Sequence, residues 1–252
     1  LLLRLGLLFR SLALPERAAQ VLPRAVRRFV RSAAPADAGR RGEALREQGL
    51  ALRDLGRLDE AEATLREALD GDLSYAEVPS IVRSLRDLAT VLAALGKFSS
   101  ASKCYEWAVQ QAMVLEEREL EAIVRHAWGE LLLVAGRSDI AFLKLWRAFH
   151  IFRQLGDDDG LSCSARGLGD VALGGGRGAE ARASFLQMLA LGQQNERPSI
   201  EALALIRRGV ACRTDGLLSD AEAELRSALA ILEPRETEAT EVPERLSAFV
   251  PA

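Results

Sequence analysis

The sequence predicts an all-α protein in which helix-turn-helix units stack into a solenoid. The first observation is a glycine that recurs every 40 residues, at Gly56, Gly96, Gly136, Gly176 and Gly216. The second is an alanine five residues after each glycine, at Ala61, Ala101, Ala141, Ala181 and Ala221. A constant period in the range of roughly 20 to 50 residues is typical of solenoids, whose units must stack on their neighbours to bury an apolar face.

Each copy is predicted to consist of a helix, a tight turn at the glycine, and a second helix. A small residue lies seven positions before each glycine, and in four copies an alanine lies seven positions after the periodic alanine, so that two helices can approach closely. Large apolar residues such as Leu45, Leu52 and Leu65 fill the helical period between them. Glycine is favoured just past a helix end, where the backbone is left-handed. We therefore expect the five glycines in equivalent turns, and the alanines at helix contacts to be buried.

The first copy resembles a tetratricopeptide repeat in the run ALREQGLALRDLGRLDEA at residues 44–61. Small, apolar and turn residues stand there where that family has them, and five copies match over about residues 42–232. The family repeat is about 34 residues long, so each copy carries roughly six more. Longer units of this kind resemble those of bacterial signalling regulators and polarity adaptors. The resemblance implies a right-handed superhelical solenoid that binds another protein, as an extended peptide or a helix, in its concave groove.

Residues 1–41 form a basic segment before the repeats. They contain nine arginines and two acidic residues, a net charge of +7, whereas the rest of the chain carries −10. One interpretation is a helical cap on the first repeat. The other is a basic amphipathic helix that makes weak contact with an anionic membrane or binds an acidic partner. Because the chain begins with Leu, two further interpretations stay open. An upstream domain is missing from this sequence, or the Arg-rich segment is an organellar transit peptide.

Residues 233–252 form an acidic tail that we expect to be disordered. Five glutamates and three prolines lie in this stretch, and prolines at that density end a helical pattern. Glutamates in the tail could also reach a basic groove, in the same chain or in a neighbour, and block it.

Catalytic chemistry is not indicated anywhere in the chain. Cys104, Cys163 and Cys212 lack paired spacing, and the histidines His126 and His150 belong to no metal-binding or triad pattern. Apolar residues make up 49% and charged residues 27%, as in a folded helical protein. We therefore expect no enzyme activity, no metal, no cofactor and no direct nucleic-acid binding, in a cytoplasmic protein.

A stripe of basic residues is the candidate binding site, because in the family the fifth residue of each repeat points into the groove. Arginine forks suit the carboxylates of an extended segment. The fifth positions are Arg46, Arg86, His126 and Arg166, followed by Ile206. The ninth positions of copies two to four are Thr90, Glu130 and Asp170.

The ninth positions leave two interpretations of this stripe open. Glu130 and Asp170 lie four residues after His126 and Arg166, so these charges either satisfy one another on the helix surface or serve a ligand. Arg86 is followed at this spacing by Thr90, so we expect its charge to be the freest to meet a ligand.

The sequence therefore predicts a non-catalytic protein interaction module. One alternative is the sensor or oligomerisation domain of a larger bacterial signalling or transcriptional regulator. Another is a membrane-surface adaptor that binds through its Arg-rich start. Self-association is left open in each case.

Overall fold

A computed structural model describes residues 1–31, 35–75 and 78–233 of the 252-residue chain. Within these residues every regular element is an α-helix, which confirms the predicted all-α class. The helices are α1 (Leu2–Ser11), α2 (Pro15–Val30), α3 (Pro35–Asp54), α4 (Leu58–Tyr75), α5 (Val78–Ala94), α6 (Phe98–Val114), α7 (Arg118–Val134), α8 (Ser138–Leu155), α9 (Asp158–Gly174), α10 (Gly178–Gln194), α11 (Pro198–Thr214) and α12 (Leu218–Leu232). The predicted tail lies outside the described residues except for Glu233.

The five periodic glycines occupy equivalent turns, as the sequence predicts. Each follows the first helix of a copy and has a positive φ, between +69° and +76°. In the first copy the Gly56 amide donates to the Arg53 carbonyl at 2.9 Å, and the next amide, of Arg57, donates to the Leu52 carbonyl at 2.9 Å. This pair of bonds is a Schellman motif, in which glycine accepts the left-handed conformation at low cost. The turns therefore fix each copy as two antiparallel helices of similar length.

The described residues fall into two compact units, which meet between Ile151 and Phe152 in the sequence. In unit 1 each helix from α1 to α6 packs on the one that follows, and the first helices of successive copies also touch, α3 on α5 and α5 on α7. In unit 2, α9, α10, α11 and α12 pack in the same order, and α9 touches α11. We call α3, α5, α7, α9 and α11 the first helices, and α4, α6, α8, α10 and α12 the second helices.

Small residues set the distance between the two helices of a copy. Ala61, Ala101 and Ala141 are fully buried, and Ala221 is 6% exposed. A Cβ built on Gly129 would lie 2.6 Å from the Leu145 side chain, which is closer than two carbon atoms can approach. The predicted spacing of small residues is confirmed, because it lets a large apolar residue of the second helix reach the backbone of the first.

The start of the chain forms a further helix pair, α1 and α2, with contacts of the same kind. Gly6 packs directly on Leu22, and Ala18 and Ala25 are buried. These positions have the same spacing as Gly49, Leu65, Ala61 and Ala68 in the first copy. Ala13, with φ +53°, stands where the other copies have the turn glycine.

The sequence assigned residues 35–41 to the basic segment, but they form the first turns of α3. Helix α2 packs on α3, and Ala18 and Leu22 share a core cluster with Ala51 of α3. Arg10 of α1 also forms an ion pair with Glu47 of α3. Helices α1 and α2 are thus joined to the first copy through both apolar and charged contacts.

Candidate partner-binding surface

The candidate surface is formed by the first helices, at the second, fifth and ninth position of each copy; we call it the first-helix surface. In a helix these positions share one face, because they are separated by three and four residues. Each unit has its own first-helix surface, on α3, α5 and α7 in unit 1 and on α9 and α11 in unit 2.

Arg46 lies inside unit 1 and does not offer its charge to a partner. Its side chain is 10% exposed, and its Nη1 atom lies 3.8 Å from Asp72 Oδ2. The same atom donates to the carbonyl of Ser80 at 3.5 Å, while Asp72 accepts a bond from Ser84 Oγ at 2.6 Å. Arg46 therefore ties α3 to α4 and α5, and we leave it out of the binding site proposed below.

Arg86 is paired with an adjacent residue, which the expectation from sequence did not include. Its Nε and Nη2 atoms donate to Asp87 Oδ1 at 3.0 and 2.9 Å. The carboxylate of Asp87 is nearly buried, whereas 31% of the Arg86 side chain is exposed. Asp87 is adjacent to Arg86 in sequence, so a spacing of four residues does not reveal this pair. The pairing holds the Arg86 guanidinium in one orientation at the surface.

Thr90 continues this arrangement one turn further along α5. Its hydroxyl donates to the Arg86 carbonyl at 3.0 Å and lies 3.2 Å from the hydroxyl of Tyr105 on α6. Burial raises the pKa of the Tyr105 phenol, so that group stays neutral and can act as a donor or an acceptor. Thr90 is half-buried, and it connects the first-helix surface to the second helix of its own copy.

Arg83 belongs to the same face and was missed by the sequence analysis. It precedes Arg86 by one helical turn, is exposed, and forms no ion pair with another residue of the described ranges. The available signal was its place at the second position of the repeat. Helix α5 therefore carries two arginines, Arg83 and Arg86, and one aspartate, Asp87, at this place.

His126 and Glu130 form the pair that their spacing on α7 predicts. The His126 Nε2 atom lies 3.6 Å from Glu130 Oε1. The imidazole is 16% exposed and the carboxylate 41% exposed, so the acidic partner is the more accessible of the two. On α7 the surface thus offers both a basic and an acidic group.

In unit 2 the predicted pair between Arg166 and Asp170 is present, and a second arginine joins it. Arg166 Nη1 lies 3.4 Å from Asp170 Oδ2, and Nη1 of Arg207 on α11 lies 3.3 Å from Asp170 Oδ1. Arg207 was not among the predicted site residues, because the fifth position of its copy holds the preceding residue, Ile206. Two arginines thus lie close to the same aspartate.

The first helices thus present arginines beside acidic groups in both units. An arginine fork matches the geometry of a carboxylate, whereas Glu130 adds an accessible anion on α7. In the described part of the chain, no group of three His, Cys, Asp or Glu side chains could hold a metal ion. No described helix is long and apolar enough to cross a bilayer.

The three thiols differ in their surroundings. Burial raises the pKa of Cys104 and of Cys212, so both stay protonated at neutral pH. Cys163 is exposed on α9, at the second position of the fourth copy and one turn before Arg166. Cys163 therefore lies on the first-helix surface of unit 2.

Comparison with protein families finds the tetratricopeptide repeat. One profile of this repeat matches residues 40–113, and another matches residues 3–76 and 166–235, which is more than half of the chain. The second profile includes α1 and α2, in agreement with their repeat-like contacts. No curated protein matches the chain at a significant level of sequence similarity.

Solved structures share the fold at low sequence identity. BtubC (BKLC) from P. vanneervenii has a TM-score of 0.77 at 18% identity, covering 94% of each chain. The STAND protein PH0952 from Pyrococcus horikoshii, which has a tetratricopeptide repeat sensor, has a TM-score of 0.75 at 13% identity; the match covers 95% of this chain and 37% of that protein. YrrB, a tetratricopeptide protein with an unusual peptide-binding site, has a TM-score of 0.50 at 18% identity, covering 80% of this chain and 91% of YrrB. These likenesses concern the fold.

Proposed function

Because the chain belongs to the tetratricopeptide repeat family, we propose that it is a non-catalytic interaction scaffold that holds an extended acidic segment of a partner protein on its first-helix surface. The observation that carries this proposal is the pair of arginines on α5, of which Arg83 is exposed and Arg86 is held at the surface by Asp87. Repeats of this family serve as protein-interaction scaffolds, and the similar fold of YrrB includes a peptide-binding site. The coarse role therefore follows from the family, and the ligand chemistry follows from the arginines.

In unit 1, Arg83 and Arg86 would bind the first carboxylate. Asp87 occupies the Nε and Nη2 atoms of Arg86, so the Nη1 atom is the one offered to a ligand. Because the fork to Asp87 already fixes the guanidinium, a ligand loses less side-chain entropy on binding there. Thr90 and His126 lie further along the same surface and would contact the backbone of an extended segment.

In unit 2, a ligand carboxylate would bind beside Asp170, between Arg166 and Arg207. Both arginines approach the same aspartate at 3.3 to 3.4 Å, and their guanidinium groups have the geometry that suits a carboxylate. Unit 2 would thus bind an acidic residue of a partner by itself.

A binding assay with purified chain tests this proposal. The probes are a fluorescent peptide of alternating Glu and Ser and its counterpart of alternating Gln and Ser. We expect only the acidic peptide to bind, and more weakly at high salt because exposed charges are screened. Replacing Arg83 and Arg86 together by Ala should weaken binding by about tenfold or more. Because the nearly buried Asp87 carboxylate then loses its bonds to Arg86, the melting temperature should fall somewhat, and binding is measured well below it.

The matched control replaces Arg57 and Arg137 by Ala. Both are exposed in turns of unit 1, so this variant loses the same charge from the same unit but leaves the first-helix surface intact. It should bind the acidic peptide as the parent does. Equal binding by the parent and the Arg83/Arg86 variant would contradict the proposal. An equal loss of affinity in both variants would also contradict it, because net charge alone would then explain binding.

A second candidate function is the sensor part of a larger signalling protein. The fold match with PH0952, which covers 95% of this chain but 37% of that protein, favours it. A nucleotide-binding or DNA-binding domain encoded upstream in the whole gene would support this role. A gene that encodes the repeats without such a domain would count against it.

A further inference from the structure

The last described helix, α12, exposes three leucines on one face. Leu225 is 42% exposed, Leu229 is 57% exposed and Leu232 is 54% exposed. Their counterparts in α6, 120 residues earlier, are each at most 5% exposed, and these are Tyr105, Val109 and Ala112. The same repeat positions are therefore buried in α6 and exposed in α12.

Inside the chain, each such face is covered by the first helix of the next copy. In unit 1, Tyr105 and Val109 of α6 share a core cluster with Val124 of α7. In unit 2, Phe185 of α10 shares a cluster with Ala211 of α11. A second helix is thus completed by a first-type helix, and α12 lacks one within the described residues.

Helix α1 presents the matching face at the other end. Counted from Gly6 and Ala89, Leu8 of α1 has the register of Val91 in α5. Val91 is fully buried in unit 1, whereas Leu8 is 52% exposed. Leu12, one turn further along, is 58% exposed. Helix α1 therefore presents exposed leucines in the register of a first helix.

The two ends also carry opposite charge. Residues 1–31 have a net charge of +6, from seven arginines and Glu16. Residues 215–233 have a net charge of −4, from five acidic residues and Arg226. Opposite potentials on two apolar faces favour their encounter and disfavour the pairing of two identical ends. Charge complementarity therefore selects the basic end of another chain as the occupant of α12.

We propose that the chain associates head to tail, with α1 of a second copy packed on α12. Leu8 of the second copy would lie on Leu225, as Ala211 lies on Phe185 within unit 2. The contact is heterologous, because a head surface meets a different, tail surface. Each assembled pair then keeps one open head and one open tail, so association continues into longer chains as the concentration rises.

Sedimentation of the full chain over a range of concentrations tests this proposal. We expect the average mass to rise with concentration, and to rise less at high salt. Leu8→Glu removes the head surface and Leu229→Glu removes the tail surface, and each variant alone should stay monomeric, with association weakened by about tenfold or more. Both leucines are exposed, so neither change should disturb folding.

Mixing the two variants gives the sharpest result. The Leu8→Glu chain keeps an intact tail and the Leu229→Glu chain keeps an intact head, so the mixture should form a dimer with one copy of each and nothing longer. Leu143→Glu, which alters an exposed leucine of α8 that is 61% accessible, is the control and should associate as the parent does.

Three outcomes would overturn the proposal. If Leu8→Glu still dimerises, α12 pairs with another α12. If the two variants stay monomeric when mixed, the head does not bind the tail. If the parent is monomeric and deletion of residues 234–252 newly exposes apolar surface to a hydrophobic dye, the end of the same chain covers α12.

Discussion

Single alanines at the helix contacts are the simplest test of the repeat register. Ala61 of α4 is fully buried, whereas Ala63, two residues later, is exposed. Ala61→Leu should lower the free energy of unfolding by about 1 to 3 kcal/mol, because the added carbons overpack a filled interface. Ala63→Leu on the same helix should change it much less. Urea titration of both variants measures the difference, and equal midpoints would mean that the register is wrong.

Glu62 gives a prediction for the dependence of stability on pH. A hydrogen bond from Lys97 at 2.7 Å lowers the pKa of this carboxyl below its usual 4.5; burial opposes this effect, and Arg66 adds to it. A lowered pKa in the folded state stabilises the protein above about pH 4.5, and this stabilisation is lost as the pH falls through the lowered value.

Glu62→Gln should therefore cost about 1 kcal/mol at pH 7, a small value because Lys97 is half exposed. The difference from the parent should shrink as the pH falls below 4.5. The control is Glu67→Gln on the same helix, where the side chain is 52% exposed, and its effect should be smaller. Chemical denaturation of the parent and both variants over this pH range measures these differences. If the loss of stability in Glu62→Gln stays constant with pH, the lowered pKa of Glu62 is contradicted.

Some of the ion pairs could be predicted from sequence, and the reason is local geometry. Glu130 and Asp170 lie one helical turn after His126 and Arg166, so their spacing alone places them together. Arg46 instead meets Asp72, a residue of the next helix, and that contact depends on how two helices pack. Arg207 reaches Asp170 for the same reason. Ion pairs between different helices can be identified only from the packed structure, because the repeat period does not specify which side chains of neighbouring helices meet.

The turns between copies contain a second periodic feature that the sequence does not reveal. Glu116, Gly156 and Glu196 are 40 residues apart and all have positive φ, of +59°, +69° and +53°. Two of the three are glutamates, so no glycine pattern marks the position. The Glu117 amide donates to the Ala112 carbonyl at 3.0 Å, as in the glycine turns. Packing and these hydrogen bonds hold a conformation that a glutamate side chain disfavours.

Glu116→Gly should stabilise the protein. The left-handed conformation costs a residue with a side chain about 1 to 2 kcal/mol, and the greater freedom of glycine in the unfolded chain offsets about 0.5 to 1 kcal/mol of the gain. Glu117→Gly, next to it but with φ −77°, should have only the unfavourable effect. Thermal melts of the two variants separate these contributions, and a lower midpoint for Glu116→Gly would show that the glutamate makes a compensating contact.

The helix pair at the start shows why a period search can miss an element. The spacing of Gly6, Ala18, Leu22 and Ala25 repeats that of the five copies, but Ala13 replaces the turn glycine that marks the others. The distance from Gly6 to Gly49 is 43 residues rather than 40, so the pair also falls out of register. The sequence of this segment shows helical periodicity. Its similarity to the repeats becomes evident only from the contacts between α1 and α2.

Removing this pair should destabilise the protein from one end. Deletion of residues 1–31 uncovers Ala51, which is fully buried, and breaks the ion pair between Arg10 and Glu47. Because repeats contact mainly their neighbours, hydrogen exchange should accelerate in α3 and α4 and stay unchanged in α11 and α12. Unchanged protection in α3 would assign residues 1–31 to a linker or a binding segment.

The exposure of Cys163 has a practical consequence for following the protein in solution. Cys104 and Cys212 stay protonated at neutral pH and react slowly, because the thiolate is the reactive form. A maleimide dye should therefore label the natural sequence at Cys163 first, one turn from Arg166 on the first-helix surface. The chain carries its own attachment point for a fluorophore, so occupancy of that surface could be followed in real time without altering a single residue.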